Sequence, residues 1–148
     1  MKKMIVALMM MVTLGVTNVF AGGEKVSPAV LSAFNNDFTS AQEVNWTVTG
    51  SYFKAAFTFN GQRVFAYYDE KGELLGVTRY ISTAQLPLSL MKDIKSRIKS
   101  DTWVSDLIEV SSGTGTNYFI TLEDAESKTI LKSSNGGNWT VHEKNKKA

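Results

Sequence analysis

Apolar residues recur with two different periods along the first half of the chain. Val30, Phe34 and Phe38 follow one another at helical spacing and predict an amphipathic helix that begins at Pro28. Beyond Ala41 the period changes to two, which is the spacing of a half-buried strand. The alternating segments are residues 44–48, 53–59, 63–68 and 74–81. The first half is therefore predicted to be one helix followed by four strands.

Cap and turn residues support these boundaries. Ser27 is placed to cap the helix with its hydroxyl, and Pro28 suits the first helical position, where no backbone hydrogen bond is lost. Asn60-Gly61 lies between two alternating segments and predicts a two-residue hairpin turn, because both residues tolerate positive φ.

The same order of elements restarts at residue 82. Ser82 or Thr83 is placed to cap a second helix, Pro87 falls in its first turn, and its apolar stripe ends at Ile94 and Ile98. Alternating segments follow at residues 103–110, 118–122, 129–132 and 139–142. The chain is thus predicted to be a tandem repeat of about residues 27–81 and 82–142, each a helix followed by a meander of strands.

The predicted fold class is α+β. One helix is too small to cover a four-stranded sheet, so we expect two helices packed on one face of a single curved antiparallel sheet. Phe34, Phe38, Ile94 and Ile98 are then buried beneath the helices. The other face of the sheet is expected to be open to solvent.

The first 21 residues have the pattern of a signal peptide. Lys2 and Lys3 precede a short apolar run, and Val19 and Ala21 occupy the small-residue positions of a cleavage site before Gly22. The alternative is an uncleaved anchor helix, although the run is short for a membrane span. We expect residues 22–148 to be one domain, periplasmic or secreted, with no stable membrane insertion after cleavage.

Composition excludes several classes of protein. The chain has 148 residues, 43% of them hydrophobic, which is typical of a folded domain, and no cysteine, which excludes disulfides and thiol chemistry. It holds 16 basic and 14 acidic residues, and loss of two lysines with residues 1–21 leaves 14 of each. Such a neutral chain is not expected to bind nucleic acid. The basic tail of Lys144, Lys146 and Lys147 is expected to be a solvated, frayed end.

Candidate chemistry is sparse. His142 is the single histidine, so a site that needs two imidazoles is excluded. Glu123, Asp124 and Glu126 fall in a predicted turn without the oxygen-ligand spacing of a calcium loop, and we expect them to be solvated. No serine lies in a nucleophile-elbow motif. We therefore predict no enzymatic activity, no cofactor and no metal.

Residues 52–87 resemble a known family. The marks are an aromatic-Lys-Ala-x-Phe strand, the Asn60-Gly61 turn, Tyr68-Asp69 running into residues 72–75, and Leu86-Pro87 before the second helix. This string is similar to the PepSY-like, β-lactamase-inhibitor-like secreted proteins common in Bacteroidetes-type bacteria, and the resemblance extends over about residues 28–142. It implies a tandem α/β repeat around a curved antiparallel sheet, and says little about activity.

Strand alternation predicts a candidate binding surface on the open face of the sheet. The side chains predicted to lie there are those of Tyr52, Lys54, Arg63, Phe65 and Tyr67. Aromatic rings beside cations on a rigid sheet suit contact with a protein or a glycan. The alternative is that a loop, the C-terminal tail or a different register buries them.

Two functional interpretations follow. The first is an exported, non-catalytic binding or inhibitor-like module, a monomer that binds an envelope or secreted protein or a glycan through the open face. The second is an envelope stress or structural protein with no defined ligand, whose open face is polar or covered. Under the first, a Phe65→Ala/Tyr67→Ala double variant is expected to fold normally.

Overall fold

The computed structural model describes residues 25–148, which form two α-helices, a short 3-10 helix and one sheet of eight strands. The first half contains α1 (Pro28–Asp37), β1 (Gln42–Val48), β2 (Phe53–Phe59), β3 (Gln62–Tyr68) and β4 (Leu74–Tyr80). The second contains the 3-10 helix (Thr83–Gln85), α2 (Leu88–Arg97), β5 (Trp103–Ser112), β6 (Gly115–Glu123), β7 (Ser127–Ser134) and β8 (Thr140–Lys146). The strands lie in chain order from β1 to β8, and every neighbouring pair is antiparallel.

α1 and the hairpin of β2 and β3 form where their local sequence signals predict them. The Ser27 hydroxyl accepts a hydrogen bond of 3.3 Å from the backbone N–H of Val30. Asn60 and Gly61 have φ values of 50° and 75°, the positive values that their two-residue turn requires. The turn between β3 and β4 needs Gly72, where φ is +84° and a Cβ atom would lie 2.7 Å from the backbone oxygen of Ala29. That glycine lets the turn approach α1 closely.

The second helix begins later than the cap signals predict. Ser82 caps the 3-10 helix, which ends at Gln85, and α2 begins only after Pro87. The physical reason is that the residue before a proline is driven into extended conformation, so Leu86 interrupts the helix. Within α2, Asp93 and Arg97 form an ion pair one helical turn apart, at 3.2 Å.

The helices cover two separate cores on the sheet. Val30 and Phe34 of α1 pack with β2 and β3, whereas Leu90 and Ile94 of α2 pack with β5, β6 and β7. Strand register places the sheet residues of both cores on the same side. Phe34 and Ile94 are buried as predicted, at 4% and 0% exposure, whereas Phe38 is only partly buried. Ile98 is also only partly buried, because it follows the last turn of α2.

An ion pair crosses the boundary between the two halves of the sheet. Arg79 of β4 donates to Glu109 of β5 through Nε at 2.7 Å and through Nη2 at 3.2 Å, and its Nη1 donates to Gln62 at 3.0 Å. The hydrogen bond to Glu109 raises the pKa of the Arg79 guanidinium. Polar contacts therefore separate the α1 core from the α2 core.

The C-terminal residues form an edge strand, so the prediction of a frayed tail is wrong. β8 continues to Lys146, beyond the predicted end at His142, and it pairs with β7. The next residue, Lys147, contacts Glu123 through its Nζ at 2.9 Å and donates a backbone hydrogen bond of 2.7 Å to Glu126. Ladder hydrogen bonds, which charge patterns do not reveal, hold these residues in place.

Candidate binding surface

The surface opposite the two helices is here called the open face. Its members follow from the register: Phe65 pairs with Thr78, Tyr80 with Ile108, and Phe119 with Lys132. The members of this face include Tyr52, Lys54, Arg63, Phe65, Tyr67, Thr78, Tyr80, Asp106, Ile108, Val110, Phe119, Lys128, Ile130 and Lys132. Within residues 25–148, no helix packs on this face.

The open face has a hydrophobic cluster of its own. Tyr67, Ile108, Val110, Phe119 and Ile130 are all less than 9% exposed and form one cluster, with three further side chains packed partly against it. This cluster spans strands from β3 to β7. An ordinary solvated sheet face would instead carry alternating polar residues. The centre of the open face is therefore a buried apolar cluster rather than a row of solvated polar residues.

Lys54 places one positive charge among the aromatic rings at the β2–β3 end of the face. Its Nζ lies 4.8 Å from the centroid of the Phe65 ring and 5.9 Å from that of Tyr67. Burial lowers the pKa of Lys54. No carboxylate among the described residues is within ion-pair distance of it. Its stabilisation therefore comes from aromatic faces, an attraction of about 0.5–2 kcal/mol depending on solvent access.

Tyr67 lies on the predicted side of the sheet, but the expectation that it is exposed is wrong. Its side chain is 1% exposed, and the Tyr52 ring is 5.7 Å away. Burial raises the pKa of Tyr67 to about 12, and nearby Tyr52 and Tyr80 add to the rise. Alternation determines which side a residue occupies, whereas burial depends on the neighbouring strands. The assumption that a Phe65→Ala/Tyr67→Ala variant leaves all packing intact is wrong for the same reason.

The other predicted surface residues occupy different environments. Arg63 is exposed and donates a hydrogen bond of 3.3 Å to the backbone oxygen of Glu43, at a bulge where Glu43 has a φ of 51°. Phe65 is partly buried and meets the ring of Tyr80 edge-on at 6.2 Å. The structure thus brings Tyr52, Lys54, Phe65 and Tyr67 together, and it holds Arg63 toward the β1 edge.

Several residues of the open face were not among the predicted site residues. Tyr80 is 46% exposed beside Phe65, and the buried hydroxyl of Thr78 has no hydrogen-bonding partner. At the β6–β7 end, Lys132 Nζ lies 5.5 Å from the Phe119 ring, which also meets His142 at 5.8 Å. Alternation within β4 and β6 could have indicated that Tyr80 and Phe119 lie on this side of the sheet, but no sequence signal marks Thr78.

The acidic residues of the β6–β7 turn are engaged in local hydrogen bonds. Asp124 accepts from the backbone N–H of Glu126 at 2.8 Å and from both the N–H and the hydroxyl of Ser127, at 2.6 and 2.8 Å. These bonds, those from Ser127 first, lower the pKa of Asp124. In the described part of the chain, no three acidic or histidine side chains are grouped as a metal site would require. Asp124 therefore stabilises this turn.

The predicted signal peptide, residues 1–21, lies outside the described residues. Among residues 25–148, neither helix combines the length and the apolar character that crossing a bilayer requires.

Comparison with known proteins identifies the fold. No protein-family model matches the chain, and no curated protein matches it in sequence. A BLIP-like protein from Bacteroides fragilis is similar in structure, with a TM-score of 0.72, 20% identity, and coverage of 84% of this chain and 89% of that one. A DUF2874 family protein from Bacteroides uniformis gives a TM-score of 0.71 at 15% identity, over 82% and 90% of the two chains. A protein from Bacteroides eggerthii that is provisionally described as periplasmic gives a TM-score of 0.71 at 15% identity, over 83% of this chain and 90% of that one. This chain therefore has the fold of these BLIP-like and DUF2874 structures.

Proposed function

We propose that this protein is an exported, non-catalytic binding module that holds a partner on the open face of its sheet. The observation that carries the proposal is a pair of aromatic side chains on a face that no described helix covers: Tyr80 is 46% exposed, and Phe65 is partly exposed beside it, over a buried cluster that includes Tyr67 and Phe119. Binding surfaces favour such rigid aromatic side chains, because little conformational entropy is lost when a partner docks.

The character of the open face favours binding over the alternative of an envelope stress or structural protein without a ligand. That alternative calls for a polar or covered face. Tyr80 is 46% exposed, Phe65 is partly exposed beside it, and Lys54 and Arg63 supply charge at the same end. Aromatic residues with arginine or lysine at the margin are typical of recognition surfaces.

Export and repeat architecture belong to the same proposal. The pattern of residues 1–21 supports a signal peptide that is removed before Gly22. A periplasmic or secreted location is supported by the fold shared with the Bacteroides eggerthii protein that is provisionally described as periplasmic. The order of one helix and four strands occurs twice, which supports a tandem repeat of residues 27–81 and 82–142 around a curved sheet. We extend the proposal to membership of the PepSY-like, β-lactamase-inhibitor-like group and to a monomeric state.

Affinity capture from the envelope fraction tests the proposal. Three proteins serve as baits: the wild type, a Phe65→Ala/Tyr80→Ala variant of the open face and a control variant. The rings of Phe65 and Tyr80 are suitable for removal because neither is fully buried. The matched control is Leu31→Ala/Leu88→Ala, which removes exposed apolar side chains from the helices. We expect the open-face variant to lose a partner that the wild type and the control retain, by about 2 kcal/mol or more for a hot spot. Equal capture by all three proteins would exclude the open face.

A further inference from the structure

β1 is one of the two outer strands of the sheet, and its outer side bonds to nothing among residues 25–148. It pairs with β2 alone, and no backbone hydrogen bond joins residues 44–48 to any other described element. Its bulge lies between Gln42 and Asn45, so residues 45–48 pair with β2 in regular register. A regular outer strand is a template on which a further strand can pair.

One hydrogen bond shows which backbone groups of β1 face away from the sheet. Thr49 donates its backbone N–H to the backbone oxygen of Tyr52 at 3.0 Å, and Val48 pairs with Phe53 just before it. In an antiparallel pair, alternate residues bond to the neighbouring strand, whereas the residues between them do not. The N–H and C=O groups of Trp46 and Val48 therefore point outward, where an added strand can bond to them.

The two outer strands of the sheet differ in charge. β8, at the other edge, carries Glu143, Lys144 and Lys146. Charged side chains, lysine above all, protect an exposed strand against further pairing. Residues 44–48 of β1 have the sequence Val-Asn-Trp-Thr-Val, without charge, proline or glycine. Because β-branched and aromatic residues favour strands, the β1 edge has the character of a pairing site and the β8 edge does not.

An apolar row beside the outward groups gives the β1 edge a preference for certain side chains. Val44 and Trp46 pack against the α1 core and are only partly buried. The Trp46 ring meets Phe34 edge-on at 5.1 Å, which fixes its orientation. Asn45 and Thr47, which alternate with them, are exposed. An added strand would therefore place apolar residues beside the α1 core and polar residues on the other side.

The small size of this edge favours a flexible segment over a second copy of the chain. Two copies that pair through residues 45–48 contribute four residues each, whereas a stable protein interface uses about 20–30 residues a side. An extended segment needs no such area, because main-chain hydrogen bonds supply its affinity and alternate side chains supply its specificity.

We infer that the β1 edge binds an uncharged, extended segment of a partner protein as a further strand of the sheet. Hydrogen bonds to the main chain of Trp46 and Val48 hold the segment, and its apolar side chains lie against Val44 and Trp46. This inference goes beyond the proposed function, because it concerns the backbone groups of an edge and not the side chains of the open face.

Peptide display supplies the probe. Protein purified after expression of the full chain is used to select from a library of random twelve-residue peptides, and we expect the selected peptides to alternate apolar and polar residues. A synthetic copy of one selected peptide is then methylated at one backbone nitrogen at a time. Strand pairing predicts a period of two. Methylation at alternate residues should weaken binding about tenfold or more, whereas methylation at the residues between them should change it by less than about threefold.

Variants of β1 assign the effect to the edge. Val48→Pro removes an outward N–H and no bond to β2, and an outer strand tolerates proline at such a position. It should weaken the peptide about tenfold or more, whereas the matched control Val48→Ala, which keeps the N–H, should stay within about threefold of the wild type. Thr47→Lys gives β1 the kind of charge that β8 carries and should also weaken binding. Circular dichroism establishes that each variant is folded.

The outcomes separate this inference from the proposed function and from self-association. Peptides that bind Val48→Pro and Thr47→Lys as tightly as the wild type, or that show no period of two, would overturn the inference, and so would a selection that yields no peptide. If such peptides nevertheless lose binding to Phe65→Ala/Tyr80→Ala, the proposed function stands without the edge. If the wild type sediments as a dimer and Val48→Pro as a monomer, the occupant is a second copy and the assignment to a partner's segment is wrong.

Discussion

Removal of the Phe34 ring is the most severe single test of the α1 core. Phe34 is 4% exposed, and four aromatic rings surround it. Their centroid distances from its ring are 5.0 Å for Phe57, 5.1 Å for Trp46, 5.6 Å for Phe38 and 6.5 Å for Tyr68. Three of these four contacts are edge-to-face, so the ring contributes oriented contacts as well as buried area.

The expected cost of Phe34→Ala follows from that packing. Replacement of a buried phenylalanine by alanine removes about 3–5 kcal/mol through lost burial and the cavity left behind. The rings around Phe34 come from Phe38, which directly follows α1, and from strands fixed in the sheet. The site therefore has little freedom to collapse, and the cost should be about 4 kcal/mol. For a domain of this size that corresponds to a fall in Tm of roughly 15 °C.

Thermal and urea denaturation, followed by circular dichroism, measure this cost directly. Leu31→Ala is the matched control, since Leu31 lies in the same helix but is 39% exposed. Because alanine favours helix, we expect the control to lose less than about 1 kcal/mol. A Phe34→Ala variant that melts within a degree or two of the wild type would refute the packing of α1 on the sheet. So would a control that loses as much as Phe34→Ala.

Three further predictions concern polar groups. Thr78→Val should raise the free energy of unfolding by about 1–2 kcal/mol in urea denaturation, since the buried hydroxyl has no partner; a loss of stability would show that the hydroxyl is satisfied. Tyr67 should ionise, by ultraviolet absorbance, at about pH 12. Folding raises the pKa of Tyr67 above its ordinary value near 10, so the contribution of Tyr67 to the free energy of unfolding is complete below pH 10 and is lost as pH rises toward 12. Titration of every tyrosine near pH 10 would contradict this prediction. Asp124→Asn should reduce the loss of stability on acidification. Folding lowers the pKa of Asp124, so its stabilisation is present above the ordinary carboxyl pKa near 4 and disappears as pH falls below it. Equal acid sensitivity of this variant and the wild type would exclude that contribution.

Local signals predicted the elements that depend on local physics. The Ser27 cap and the Asn60-Gly61 turn require only their own residues, and both are found. The start of α2 was missed because conformational restriction before Pro87 outweighed the cap at Ser82. The extent of β8 was missed because pairing with β7 depends on a distant part of the chain.

The candidate site shows the same limit. Alternation placed Lys54, Phe65 and Tyr67 on the correct side of the sheet, because the period of a strand is local. It did not predict that Tyr67 is buried, since that depends on packing with Ile108 and Val110 of another strand. Thr78 is an ordinary strand residue in the sequence, and only the absence of a hydrogen-bonding partner in the structure distinguishes it.

Site-specific photo-crosslinking in living cells tests most directly whether the open face holds a partner. p-Benzoylphenylalanine replaces Tyr80 on the open face in one strain and Leu88 on α2 in another; both positions are exposed, at 46% and 67%. We predict a discrete protein adduct from position 80 after irradiation and none above background from position 88. Adducts from position 88 alone, or equal adducts from both positions, would contradict the assignment of binding to the open face.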